Sequence, residues 1–304
     1  MAEPAYVGAW RSGRLAEAVR RAYARLAGCD LCPRRCGVDR LRGERGFCRT
    51  GLRAKVASAG PHFGEERPLV GYGGSGTVFF AECNLRCAFC QNWDISQEGT
   101  GHETPLPELA RTLLALERLG CHNINFVTPS HVVPQILGAV ALAVRRGLSV
   151  PLVYNTSGYD AVDTLRILEG VVDIYMPDLK WVDPGVGERV AGAPDYWEVA
   201  QEAVREMHRQ VGDLVVDERG VAVRGLLVRH LVMPGGLAGT ETVMRFLAEE
   251  ISPNTYVNVM AQYRPVGDAW KHPPLDRRIS PTEYREAVEI ARRAGLRRLD
   301  GFGY

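Results

Sequence analysis

Two sets of cysteines in this 304-residue chain have the spacing of metal ligands. Cys83, Cys87 and Cys90 fall in "FFAECNLRCAFCQNWDIS", residues 79–96, and Cys29, Cys32, Cys36 and Cys48 fall in "CDLCPRRCGVDRLRGERGFC". A thiolate is the natural ligand of iron–sulfur clusters, and a [4Fe–4S] cubane has four irons. Three thiolates in an x3, x2 loop can wrap three corners of such a cube and leave one iron open. An open position separates catalytic metal centres from structural ones. A zinc knuckle at this loop needs a fourth ligand, and the nearest candidates, His102 and Cys121, are poorly placed. The second set supplies four thiolates, a closed shell, so it reads as structural; zinc and a fully ligated auxiliary [4Fe–4S] cluster both fit. Zinc would fold an arginine-rich segment that lacks its own core, whereas a cluster could also relay electrons. Cys121 stands alone and reads as a small buried hydrophobe.

The elements that must position these residues follow from periodicity. Residues 13–28, "GRLAEAVRRAYARLAG", place Leu15, Val19, Ala22 and Leu26 on one helical face. They lead into the four-cysteine segment, and residues 1–72 are expected to form an N-terminal helix with a metal-binding segment. From residue 73 short β-branched or aromatic runs alternate with helical patterns. Strands are expected at 77–82, 124–128, 151–156, 171–179, 225–233 and 255–261, with a seventh candidate at 296–302. Helices are expected at 106–119, 131–146, 160–169, 195–210, 239–250 and 281–294, and a hairpin insertion at 212–225 turning at Glu218-Arg219-Gly220. Such alternation implies an α/β fold, a parallel sheet with helices outside, and chemistry at the carboxyl ends of the strands. Unusual polar residues do fall there: Thr128, Ser130 and His131, then Asn155 and Ser157, then Asp178 and Lys180, then Arg229 and His230, then Gln262 and Arg264. Lys180 is one of three lysines among 37 basic residues. Its place two residues from Asp178 puts both on one strand face.

At these residues the chain resembles the radical S-adenosylmethionine superfamily, whose signature is the Cys-x3-Cys-x2-Cys loop after the first strand of a partial β/α barrel. Within it, "CNLRCAFCQN" followed by "MPDLKW" resembles proteins related to pyruvate formate-lyase activating enzyme. The resemblance covers residues 73–264 and implies a partial (β/α)6-type TIM barrel over 73–304. It implies a [4Fe–4S] cluster on Cys83, Cys87 and Cys90, with S-adenosylmethionine chelating the open iron. One electron then cleaves the sulfonium to methionine and a 5′-deoxyadenosyl radical that abstracts hydrogen. Phe89 fits the aromatic position near the adenine, and Asn92 ends the same loop. Asp178 and Lys180 match the Asp-Leu-Lys motif of the fourth strand and are expected at the methionyl end or at an incoming backbone. Related enzymes end the second strand with a Gly-Gly-Glu turn; here the place reads "FVTPSH", so Thr128 and Ser130 are expected to supply the contacts. Asn155, Ser157 and Arg229 complete the expected cofactor-binding set. The arrangement of both cysteine sets resembles the activating-enzyme-like subgroup, for which the resemblance supplies chemistry without a substrate.

The remaining features narrow the partners. "GYGGSGTVFF" at 71–80 precedes a strand, whereas phosphate-binding glycines follow one, so it reads as a flexible entry. His62 lies on a Gly/Pro-bounded loop, and His131 reads equally as a helix cap or a ligand. Arg229 and His230 point to opposite faces; Arg229 is expected inward for a carboxylate contact. Residues 260–274, with Tyr263, Arg264 and Trp270, form a long loop past the sixth strand, a lid or a packed surface loop. Residues 1–55 hold twelve arginines and one lysine against five acids, while the whole chain carries only +1. This basic region is a solvated surface or a docking face for an acidic partner; nucleic acid has charge alone in its favour. The chain has no apolar run of about 18 residues, which argues against a membrane span, and its N-terminus lacks the apolar core of a secretion signal. A cytoplasmic protein is expected, where cysteines are ligands rather than disulfides. The expected activity is a radical enzyme acting on a protein, peptide or small molecule, with a reductant such as flavodoxin or ferredoxin. The alternative is a non-catalytic iron–sulfur electron carrier or assembly protein.

Overall fold

A computed structural model describes residues 3–300. The strands are β1 (Ala54–His62), β2 (Ser75–Phe80), β3 (His102–Thr104), β4 (Ile124–Val127), β5 (Leu152–Thr156), β6 (Ile174–Leu179), β7 (Val215–Val216), β8 (Ala222–Leu231), β9 (Tyr256–Met260) and β10 (Arg298–Asp300). The helices are α1 (Ala5–Arg11), α2 (Arg14–Ala24), α3 (Arg67–Val70), α4 (Trp93–Ser96), α5 (Leu106–Arg118), α6 (Val133–Val144), α7 (Val162–Leu165), α8 (Pro184–Ala191), α9 (Tyr196–Val211), α10 (Thr240–Phe246) and α11 (Pro281–Arg293).

The strands β10-β9-β8-β6-β5-β4-β2 are neighbours in that order, each pair parallel, with helices in the connections. The β10 and β3 edges stay apart, so the sheet is an open, partial barrel of the expected kind. The seventh expected strand is present as β10, and residues 301–302 of that expectation lie outside the described residues. The expected hairpin is also present as β7 and β8, with Gly220 at φ 78 in its turn. Two strands lie outside the expected list. β1 pairs antiparallel with β2, and β3 with β1, so the sheet runs across the position between residues 72 and 73. β1 alternates buried and half-buried positions near its start and is half to fully exposed beyond, the pattern of an antiparallel strand with one face toward water.

Period-two alternation sorts the side chains. Val78, Phe80, Ile124, Phe126, Tyr175 and Val228 belong to the main core beneath the helices, while Val153, Ile174, Met176 and Leu227 form a separate cluster inside the barrel. α5 buries Leu109, Leu113 and Leu116 on one face. α6, "VPQILGAVALAV", differs, because ten of its twelve residues are buried. A helix apolar all round needs cover on every side. α6 packs on α5 and is overlaid by α1 and α2, whose Leu15, Ala18 and Ala22 are buried. The N-terminal helices therefore complete the barrel's outer layer.

Asp173, just before β6, ties this layer down. Its Oδ1 accepts the Ala5 amide at 2.7 Å and its Oδ2 the Leu152 amide at 2.9 Å. Burial pushes its carboxyl up to about 6 despite the two amides. Because the folded value exceeds the unfolded one, its contribution is full below pH ~4 and is lost as pH rises through ~6. Urea titrations between pH 4 and 7 should show the unfolding free energy declining by at most about 3 kcal/mol from this group, and Asp173→Ala should lose that slope.

Candidate functional site

The loops at the carboxyl ends of β2, β4, β5, β6, β8 and β9 surround a cavity of about 550 Å³. Cys83, Cys87 and Cys90 all open onto it. The loop that carries them is neither helix nor strand, so other groups must satisfy its polar backbone. The Leu85 and Arg86 amides donate to Cys83 Sγ at 3.3 and 3.5 Å, directing positive dipoles at that sulfur. Glu82 and Arg86 adopt left-handed φ of 68 and 53 to make the loop turn. Arg34 Nε donates to the Asn84 carbonyl at 2.9 Å, and His131 Nε2 pairs with the Ala81 carbonyl at 3.0 Å. Buried Glu82 receives Arg49 Nε at 2.8 Å and Lys55 Nζ at 3.3 Å. Several of the N-terminal cations thus turn inward. Burial pushes the Cys83 and Cys87 thiols up, and the Lys180 charge draws both back.

Of the residues expected at a cofactor, Phe89, Asn92, Thr128, Asn155, Ser157, Asp178, Lys180 and Arg229 line this cavity. Ser130 does not: it is buried, and its hydroxyl pairs with Thr156 Oγ1 at 3.1 Å behind the wall. Phe89 is wedged edge-on against Trp181 and Tyr263, with ring centroids 6.0 and 5.9 Å away. Asp178 is the electrostatic hub. Its Oδ1 receives Arg229 Nε at 2.7 Å and its Oδ2 Lys180 Nζ at 2.6 Å, while Arg229 Nη2 also holds Asn155 Oδ1 at 2.8 Å. Burial alone would raise the Asp178 carboxyl, but the two cations outweigh it and hold it below the ordinary range. His230 faces the other way and bridges the Leu179 carbonyl and Thr240. Cys121 is buried, and the 260–274 loop docks on the cysteine loop through Asp268 N–H to Ala88 O at 2.8 Å. In that loop Tyr263 is buried and Trp270 exposed.

The sequence reading missed one wall. Glu65 and Glu66, between β1 and α3, and Arg67, the first residue of α3, also line the cavity. Glu65 Oε2 lies 3.6 Å from Arg229 Nη1, and Asn258 Nδ2 donates to Glu66 Oε1 at 2.8 Å. Glu66 Oε2 and Ser157 Oγ are buried without a partner. Burial pushes the Glu66 carboxyl above its ordinary value, with Arg229 opposing. Three thiols, orphaned polar atoms and a cavity of ligand size fit a cluster with a bound zwitterionic nucleoside. Thr128 has φ 61, a conformation that suits glycine and costs a β-branched residue about 1–2 kcal/mol.

Two outcomes follow from these contacts. Thr128→Gly should raise the unfolding free energy by about 1 kcal/mol in urea titrations. Asp178→Ala leaves two buried cations without their carboxylate and should cost about 3–5 kcal/mol in urea unfolding.

Residues 77–221 match the sequence profile of the Radical SAM superfamily. The chain is 34% identical over 275 residues to the uncharacterized protein MJ0674 of Methanocaldococcus jannaschii, covering 88% of this chain and 75% of that one. Among solved structures, a domain of pyruvate-formate lyase-activating enzyme from Bacteroides vulgatus aligns at 13% identity and TM-score 0.36, over 66% of this chain and 96% of the domain. The structure of native anSMEcpe with bound AdoMet aligns at 9% identity and TM-score 0.49, over 72% of this chain and 61% of that one.

Proposed function

Starting from a chain that belongs to the Radical SAM superfamily, we propose an activating-enzyme-like catalyst that abstracts hydrogen from a protein, peptide or small molecule. The family implies a [4Fe–4S] cluster and S-adenosylmethionine, which supply one-electron cleavage of a sulfur–carbon bond and a carbon radical. One observation carries the reading: the three cysteines open onto the same cavity as the Asp178, Lys180 and Arg229 triad. A simple electron carrier has no use for such a cavity.

In this reading Cys83, Cys87 and Cys90 hold the cluster, and the amides of Leu85 and Arg86 stabilise its thiolates. Phe89, held by Trp181 and Tyr263, offers a flat apolar surface to the adenine. Lys180 and Arg229 take the carboxylate of the methionyl end, while Asp178 and the orphaned Ser157 hydroxyl face its ammonium. Asn92, Thr128 and Asn155 line the remaining walls, and Ser130 acts only through Thr156. Glu65 and Glu66 are then left facing the substrate side, where they favour a cationic or hydrogen-donating group. The docked 260–274 loop limits water. The electron comes from a flavodoxin- or ferredoxin-type donor, and Cys29, Cys32, Cys36 and Cys48 hold a second metal centre. A cytoplasmic setting suits both thiol sets.

The test is anaerobic. Reconstituted protein given dithionite and S-adenosylmethionine should release 5′-deoxyadenosine, and Cys87→Ala should bring the yield to background. A carrier or assembly protein would release none from the intact chain. Deuterium transfer from a labelled candidate into that product then separates protein substrates from metabolites.

A further inference from the structure

The four N-terminal cysteines form a second enclosed site directly behind the cysteine loop of the first. Cys29, Cys32, Cys36 and Cys48 line one small cavity together with Arg40 and His131. All four are free thiols; Cys36 is exposed and the other three buried. The backbone is shaped around the sulfurs. The Phe47 amide donates to Cys36 Sγ at 3.4 Å, and a Cβ on Gly46 would fall 2.6 Å from the same sulfur, so only glycine lets the chain pass.

Two buried side chains point to an anionic occupant. Arg40 is 1% exposed. Its guanidinium donates to the Gly51 carbonyl at 3.1 and 2.8 Å, to the His131 carbonyl at 2.9 Å and to Cys29 Sγ at 3.8 Å. None of these described partners is a carboxylate. A guanidinium keeps its charge, and a buried charge needs a counter-charge. The four sulfurs supply it once they are metal-bound thiolates. His131 is also 1% exposed and its Nδ1 has no partner.

A single zinc ion draws its four thiolates to about 2.3 Å and leaves no room between them. Here the four cysteines line one enclosed space without converging on a point, and among the described residues no three Cys, His, Asp or Glu side chains gather as single-ion ligands. Cys83, Cys87 and Cys90 likewise surround space rather than a point. We infer that Cys29, Cys32, Cys36 and Cys48 hold a second [4Fe–4S] cluster, ligated at all four irons, with Arg40 as its buried counter-charge. Two lining residues, Arg34 and His131, reach across to the Asn84 and Ala81 carbonyls of the first loop.

Metal counting tests this independently of hydrogen abstraction. The Cys83→Ala/Cys87→Ala/Cys90→Ala variant, reconstituted anaerobically with iron and sulfide, should retain about four iron and four sulfide per chain. It should also keep a visible charge-transfer band that bleaches on reduction. The intact chain should hold about eight of each, a twofold difference, and no zinc. One zinc per chain alongside four irons in the intact protein overturns the inference, whether or not the variant folds. So does a folded triple variant that retains no iron. Failure to form 5′-deoxyadenosine would leave these counts unchanged.

Discussion

The cysteine loop at the barrel mouth must hold an irregular backbone in a buried place, and much of the surrounding architecture answers that constraint. A helix or strand satisfies its own amides and carbonyls; residues 81–90 cannot. Three of their carbonyls accept from side chains outside the loop: His131 on Ala81, Arg34 on Asn84 and Gln97 on Cys87. Glu82, at the loop's first bend, is neutralised by Arg49 and Lys55. The arginine excess of the first 55 residues is in part a set of internal braces for this loop, so the charge count overstated the free basic surface.

The cavity shows a second economy. One carboxylate, Asp178, serves two cations at 2.6 and 2.7 Å, and Arg229 passes the contact on to Asn155 and towards Glu65. The ends of three strands contribute, Asn155 from β5, Asp178 and Lys180 from β6 and Arg229 from β8, so the network sets the relative height of these strands as well as the polarity of the site. Strained residues cluster in the same region. Thr128, Glu82 and Arg86 all have positive φ, and all lie in the loops that follow β2 and β4.

Most of the frame was legible in the sequence because parallel strands are buried on both faces and read as short β-branched runs. β5 and β6 are buried throughout, and their limits differ from expectation by three residues at most. The Asp178 and Lys180 pairing was legible from a spacing of two, and the inward turn of Arg229 from alternation with His230. β1 was not legible. "AKVASAGPH" is a half-exposed strand with glycine and proline, and it resembles a linker until β2 and β3 are placed on either side. Glu65 and Glu66 were missed for the same reason, since they precede the first parallel strand and reach the site only through the antiparallel edge. Ser130 was misplaced because the left-handed turn at Thr128 sends its hydroxyl to Thr156.

The all-round burial of α6 has a consequence for how this polypeptide can be divided. Its outer stripe lies under α1 and α2, elements more than a hundred residues upstream, while another side packs on α5. A fragment trimmed to the matched stretch would bare that outer stripe to water as a sticky patch, and it would lack the braces of the cysteine loop. The N-terminal helices are therefore part of the barrel's outer layer, and swapping or shortening them would be felt at the barrel mouth.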